Sequence, residues 1–441
     1  RNQLVQQTFT EHQETLRTTN ASLKTRFGLL GGSVSLLGLR SEKTHEDRDT
    51  GFSSSPESRW KQSGPVWLLS GQDQRRLGRL WLLTRLSYLD AGFRLEPQGS
   101  SEASSYEDLR GVLRGSYYTL DTKRPRLQAG FEASAQARFL GLDHDLLLGA
   151  GYRRSQITTR QTWPGNGVYA LERQSVFFRT FHLTGFALPQ RDAEARSLQE
   201  QIDGYLQDTV RAGRFALSAG LRLDRLQGHN LASSVEANPV FPADLPAVSY
   251  TGDPSRYRWL DLLPRLGLLW DLTGKGRSLV RAGYAAYGAS LGVSDVSFDN
   301  PLAQSASVSY YWRDKNGNHV VEPGELDLVR GKLGASGLDP EHPAAAVSPH
   351  RIDPAYRSPR THEATLSFEQ TLGGMTTTLR GSWRRLLHPR WTPLRNLTLA
   401  DYAIRGAATG QLFDQTYSVG YYSPVSESKI VPGNGRLLTN R

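Results

Sequence analysis

The chain has 441 residues, a net charge of +10 and no cysteine, which excludes a disulfide frame, a thiolate metal site and a cysteine nucleophile. Hydrophobic residues make up 38%, mean hydropathy is −0.49 and no run of 18 apolar residues occurs, so a helical membrane protein is excluded while a β-barrel remains permitted. The basic balance fits nucleic acid, an anionic surface or an anion-lined pore, but the arginines do not cluster as a nucleic-acid patch does.

From the N-terminus, Leu30-Gly31-Gly32 predicts a first tight turn, followed by a Pro, Gly, Ser and Asp-rich loop over 41–64. A second turn is expected at 74–77, then a loop over 92–124. The stretch from Leu127 to Phe139 alternates strictly. Leu127, Ala129, Phe131, Ala133, Ala135, Ala137 and Phe139 share one face, and Gln128, Glu132, Ser134, Gln136 and Arg138 share the other. The turn Gly141-Leu142-Asp143 follows, then a loop over 159–196 in which Gln174 to Phe186 is expected to be extended, before a returning strand from Ser197 to Asp208. Arg211-Ala212-Gly213 turns the chain into Phe215 to Asp224, where odd positions are apolar and even positions carry Arg222 and Asp224. Beyond a loop over 227–258, turns at 273–276 and Gly373-Gly374 flank the longest loop, 289–358, and everything after His388 reads as loop. Six hairpins imply about twelve strands.

These strands are long, with an apolar face that needs covering and a charged face that needs water. A bilayer outside and a polar lumen inside meet both needs, and strands of about ten residues or more suit a tilted crossing better than a sandwich. The fold expected is all-β, a transmembrane antiparallel β-barrel, with tight turns at one end and long loops facing outward at the other. Arg85, Arg138, Arg153, Arg222, Arg265, Arg281, Arg380 and Arg384 fall on polar faces, where Glu132, Asp224, Asp271 and Glu369 are their expected partners. Tyr88, Tyr152, Tyr205, Trp259, Trp270, Tyr284, Tyr287 and Trp383 gather toward strand ends, as interfacial girdles require.

One loop carries metal-ligand spacing. Asp314, Asn316, Asn318, Val320 through its carbonyl, and Glu325 occupy positions 1, 3, 5, 7 and 12 of a twelve-residue stretch, the pattern of a calcium loop. His319 stands where glycine normally makes the sharp turn, and the low carboxylate count predicts weak binding that stiffens the loop without catalysing. The competing reading is an Asx-rich surface turn. Catalytic patterns are weak. His362-Glu363 lacks the second histidine of a zinc protease signature, and Asp143-His144-Asp145 lies beside a tight turn where such residues are ordinary. Gly274-Lys275-Gly276 lacks the strand-to-helix setting of a phosphate loop. No enzyme activity and no nucleic-acid partner are expected.

Several motifs in order resemble the barrel of TonB-dependent outer-membrane receptors of the Oar-like branch. They are Ser55-Pro56-Glu57 with Gly64-Pro65-Val66-Trp67, Gly92-Phe93-Arg94-Leu95, Tyr205-Leu206-Gln207-Asp208 followed by Gly220-Leu221-Arg222-Leu223-Asp224, Pro264-Arg265-Leu266-Gly267, Thr361-His362-Glu363 and Gly433-Asn434-Gly435-Arg436. The resemblance implies a barrel of about 22 strands around a plug, of which about twelve are here, with uptake powered by an inner-membrane TonB-type energiser. Both ends read as cut, at Arg1 without Met or leader and in Pro432-Gly433-Asn434-Gly435. Residues 1–441 are therefore expected to be one partial barrel domain, without plug, N-terminal carboxypeptidase-regulatory-like domain or closing strands. A lone half barrel leaves two open edges and is not expected to insert by itself.

The expectation is an outer-membrane receptor or transporter that meets outer-membrane lipid and binds an unknown small ligand on its long loops, chiefly 289–358, with Tyr310, Tyr311, Trp312, Tyr421 and Tyr422 as available aromatics. The alternative is an adhesin that uses the same loops without transport. Apart from the calcium loop, no cofactor is expected.

Overall fold

The computed structural model describes residues 14–441 apart from 49, 51–52, 178–179, 254–256, 413–414, 427–428 and 432–434, so Arg1 and Gly433-Asn434 lie outside the described residues. Twelve strands form one continuous antiparallel path: β1 Thr15–Leu29, β2 Gly32–Arg48, β3 Trp60–Leu77, β4 Leu80–Ala91, β5 Pro125–Phe139, β6 Leu142–Thr162, β7 Ala193–Ala212, β8 Phe215–Asn230, β9 Tyr257–Asp271, β10 Ser278–Gly288, β11 Arg360–Leu372 and β12 Met375–Leu387. Each pairs with its neighbours in sequence order, the meander of an up-and-down barrel wall. No ladder joins β1 to β12 among the described residues.

All six expected hairpins are present. The turn between β3 and β4 lies at Gly78-Arg79, just beyond the expected 74–77. At Leu30-Gly31 and Leu140-Gly141 both central residues are left-handed, with φ of 50° and 75° and of 52° and 74°. That geometry matches the twist of two antiparallel strands joined by two residues, and glycine supplies its second half without strain. The wider turn after β9 is closed by Asp271, whose carboxylate accepts the amides of Thr273, Gly274 and Gly276.

Alternation sorts the wall into two faces. On β8, Phe215, Leu217, Leu221 and Leu223 are 41–49% exposed, whereas the intervening even positions are half-buried or buried. The same exposed apolar row continues through Leu260, Leu262 and Leu266 of β9 and Leu366 and Phe368 of β11. The opposite face carries the charge. No helix among the described residues is long and apolar enough to cross a membrane.

Two parts of the chain depart from the sequence expectation. Phe93–Pro97 and Thr119–Lys123, inside the expected loop 92–124, pair with each other and with β3 and β6, extending the wall at the long-loop end. After His388, Tyr402–Leu412 and Gln415–Pro424 form a separate hairpin. Its alternation is masked by a register shift between Ile404 and Gly406 and by the small residues that follow.

Candidate functional site

The long connections gather at one end of the wall. Six short strands, in the order Gly334–Ser336, Ala306–Arg313, Thr180–Arg191, Val168–Phe177, Ser105–Glu107 and Leu113–Arg114, form a second sheet there. The extended segment expected near 174–186 is the hairpin at the centre of this sheet. Alternation along Ala306–Arg313 buries Tyr310 and Trp312, 4% and 2% exposed, against two apolar clusters that include Phe241, Val321 and Leu338. Tyr310 also donates to Asp244 at 2.7 Å, and burial followed by that carboxylate pushes its phenol pKa up. These two aromatics are anchors. Tyr311 points the other way, lies tilted against Phe186 with ring centres 5.2 Å apart and carries Arg330 over its ring at 5.0 Å. Tyr421 and Tyr422 are exposed on the separate hairpin.

An aromatic cluster ties the second sheet to the wall. Trp60 at the start of β3 lies 5.5 and 5.2 Å from Tyr117 and Tyr118, and Trp163 lies 5.7 and 5.4 Å from the same pair. The Trp60 indole donates to the Tyr118 carbonyl at 2.9 Å and that of Trp163 to Ser305 at 3.0 Å. Burial, then the neighbouring Glu107 carboxylate, pushes the Tyr169 phenol beside them up to about 12.

The loops also fold inward. Leu226 of β8 and Tyr257 and Trp259 of β9, all on the polar-face side, pack with Leu291, Val296, Tyr356 and Leu438. Gly228 permits this approach, since a Cβ there meets Val296 at 2.6 Å and Leu291 at 2.8 Å. The Tyr257 hydroxyl donates to the Asp295 carbonyl at 2.7 Å, and Arg390 pairs with the Asp295 carboxylate at 3.0 Å. A roof of loop residues therefore covers the charged face at its long-loop end.

Below the roof, Arg222 bridges Asp203 at 3.2 Å and Asp224 at 2.8 Å, and Arg281 meets Glu369 at 2.9 Å. Two expected arginine partners have other roles. Glu132 accepts the Tyr205 hydroxyl at 2.7 Å, and Asp271 caps its turn.

The five residues of the metal-like loop are brought together only in part. Both oxygens of Asp314 accept loop amides, from Gly317 at 2.7 Å and His319 at 3.1 Å, and Glu325 accepts those of Lys315 at 2.7 Å and Glu322 at 3.2 Å. Asn316 and Asn318 accept the amides two residues on, at 3.0 and 2.8 Å, the second being that of Val320. His319 adopts φ 61° at the turn position. It is held there by Glu172, which is 3% exposed and contacts Nδ1, and by stacking on Tyr106 at 4.9 Å. The Lys315 ammonium reaches the Gly324 carbonyl beside Glu325. Among the described residues no group of three or more His, Asp or Glu side chains could hold a metal, so a cation here would draw on Asn316, Asn318 and the Val320 carbonyl for most of its oxygens.

The weak catalytic patterns are structural. His362 shares a hydrogen bond with the Tyr284 hydroxyl at 2.6 Å, and Glu363 pairs with Arg384. Alternation turns His144 toward Asp208, at 2.7 Å, while Asp145 meets Arg211 at 2.6 Å on the other face.

A two-faced antiparallel wall with tight turns at one end and a roof of long loops at the other defines an outer-membrane β-barrel. A family model described as an outer membrane beta barrel domain matches residues 114–382. The chain belongs to that family, and its location is the outer membrane. Among solved structures it is similar to the outer membrane transporter YddB from Escherichia coli, with 10% identity and a TM-score of 0.54 over 97% of this chain and 43% of that one. It is also similar to the ferric citrate transporter FecA in the unliganded form, at 10% identity and a TM-score of 0.43 over 86% of this chain and 48% of that one. The siderophore receptor PiuA from Acinetobacter baumannii gives 10% identity and a TM-score of 0.44 over 84% and 57%. The chain thus spans less than two thirds of each of these relatives. No curated protein matches it.

Proposed function

We propose that the chain is the ligand-recognising part of an outer-membrane receptor and transporter barrel, and not an enzyme, that admits a small ligand past its external loops with energy from a TonB-type partner. The inward-folded roof carries this reading. Leu291 and Val296 pressed onto Gly228 cover the luminal face near its long-loop end, which fits a mouth narrowed by its loops better than the open water-filled passage of a passive pore. The fold shared with YddB supports the same class, and the ordered motifs support assignment to the Oar-like branch, with a plug and further strands supplied outside residues 1–441.

The roof is the element that must move when a ligand passes. Tyr311, with Phe186 and Arg330, is the external face we assign to first contact. We assign weak calcium binding to Asp314, Asn316, Asn318, the Val320 carbonyl and Glu325, as a stiffener of the segment that follows Trp312. Single-channel recording of the complete protein in planar bilayers tests the receptor reading. It predicts no steady conductance in the wild type, whose lumen holds the plug. A steady wild-type pore contradicts it. The adhesin alternative predicts surface binding that survives a protonophore with no energised accumulation to lose.

A further inference from the structure

On the luminal face Arg138, Arg211, Arg222 and Arg281 each have a carboxylate in contact, whereas Arg126 and Arg153, neighbours on adjacent strands, have none among the described residues. Arg126 of β5 and Arg153 of β6 both lie on that face, and between them runs Ser155, directly opposite Arg126 in the ladder. Arg126 donates to the Ser155 hydroxyl at 3.3 Å, and Arg153 donates to the amide oxygen of Gln201. Neither forms an ion pair with a carboxylate among the described residues. The nearest candidates are already engaged. Asp203 and Asp224 are bridged by Arg222. Glu200 borders the same space, but its carboxylate accepts Tyr152 and Gln227, both at 2.9 Å, on the opposite face of β7.

The two guanidinium groups border a cavity of about 110 Å³ beneath Leu291 of the roof. Gln199 enters it from β7, and its amide nitrogen is buried with no hydrogen-bond partner. Toward this space the side chains offer the Arg126 and Arg153 guanidinium groups, the buried Gln199 amide nitrogen and the Ser155 and Ser290 hydroxyls, while the Gln201 amide oxygen is already taken by Arg153. Unpaired buried donors are costly, and two cations side by side in a half-desolvated space repel each other unless an anion joins them. Planar guanidinium forks match the oxygens of carboxylate and phosphate.

We propose that this cavity is a binding site for a small oxyanion, a carboxylate, phosphate or sulfate group held by Arg126, Arg153 and Gln199 on the barrel wall just inside the external roof. Its volume accommodates about three or four waters, which suits one such group and not a whole multidentate chelate. The site does not depend on energised uptake and is occupied whether the barrel transports or only binds.

The complete protein in detergent micelles is titrated with sodium phosphate, sodium sulfate and sodium acetate against sodium chloride at constant ionic strength, followed by calorimetry. The wild type is expected to bind at least one of these saturably. A preference for phosphate or sulfate indicates a tetrahedral group, and one for acetate a planar one. Arg126→Gln and Arg153→Gln are each expected to weaken binding about tenfold or more. Gln199→Leu keeps the charge and fills the same space, and is expected to weaken binding severalfold, while Arg281→Gln, elsewhere on the luminal face, leaves it unchanged. Absence of saturable wild-type binding overturns the proposal, as does wild-type affinity in Gln199→Leu together with either arginine variant.

Discussion

Tyr205 of β7 lies across Gly149 of β6. A Cβ on Gly149 falls 2.2 Å from the Tyr205 ring, and the hydroxyl passes over it to donate to Glu132 of β5 at 2.7 Å. Three strands are thus tied by one side chain, and the glycine is needed for the close approach of another group within a strand. Gly149→Ala is expected to lift the ring, break the bond to Glu132 and lower stability by about 1–3 kcal/mol. Tyr205→Phe keeps the ring in place and is expected to cost about 1 kcal/mol. Urea unfolding of the complete protein in micelles measures both, and equal stability of Gly149→Ala and wild type contradicts the packing described.

Asp203, Asp224 and Asp261 sit directly opposite one another on β7, β8 and β9, an arrangement that repels unless neutralised. Arg222 neutralises the first two, and Arg360 contacts Asp261 at 2.7 Å. Arg222→Gln is expected to destabilise by about 1–3 kcal/mol, because it leaves carboxylates unpaired. Adding Asp224→Asn is expected to recover part of the loss. A double mutant no more stable than Arg222→Gln alone counts against this ladder as the source of the effect.

His350 gives the roof a pH dependence. Its Nδ1 accepts the Arg436 amide at 3.0 Å, beside the strand Leu437–Asn440 that locks onto Arg351–Ile352. Burial, then Arg436 and Arg395, hold its pKa below the ordinary 6.5. The folded state therefore keeps the ring neutral, so its contribution is fully present above pH 6.5 and is lost as pH falls below that value. Hydrogen exchange at the Arg436 amide, corrected for its intrinsic rate, is expected to stay protected above pH 6.5 and to lose protection as pH falls below it. In His350→Gln that pH step is expected to disappear.

For the twelve-residue loop, terbium luminescence excited through neighbouring Trp312 is expected to rise weakly in the wild type and to be lost in Glu325→Gln and Asp314→Asn. His319→Gly removes the contact to Glu172 and the stacking on Tyr106, yet supplies a residue at ease at φ 61°. It is expected to keep the luminescence. Loss of signal in His319→Gly alone locates terbium at Glu172 and His319 instead.

Much of the wall was legible because two signals coincide: apolar residues at every second position, as in Leu127 to Phe139, and glycines at Gly31, Gly141, Gly213 and Gly373 where the chain reverses. The hairpin Tyr402–Leu412 with Gln415–Pro424 escaped because a bulge breaks its period. The anchoring roles of Tyr310 and Trp312 follow from alternation once a strand is assigned to 306–313, but the roof does not. Leu291 and Val296 meet Gly228 only through a contact more than 60 residues apart along the chain, and nothing local announces it. The pairing of luminal charges was legible in kind and not in detail, since Glu132 is as suited to a phenol as to a guanidinium.

The orientation of this wall is the claim on which the rest depends, and the absence of cysteine from residues 1–441 leaves an introduced thiol as the one labelling site within them. Val329, fully exposed in the long connection between β10 and β11, and Lys275, in the tight turn between β9 and β10, are replaced singly by cysteine in the complete protein and treated on intact cells with a membrane-impermeant maleimide. Labelling of Val329→Cys on intact cells, with Lys275→Cys labelled only after the outer membrane is permeabilised, is the predicted result. Labelling of Lys275→Cys on intact cells while Val329→Cys stays protected contradicts the outer-membrane barrel with its long loops outside.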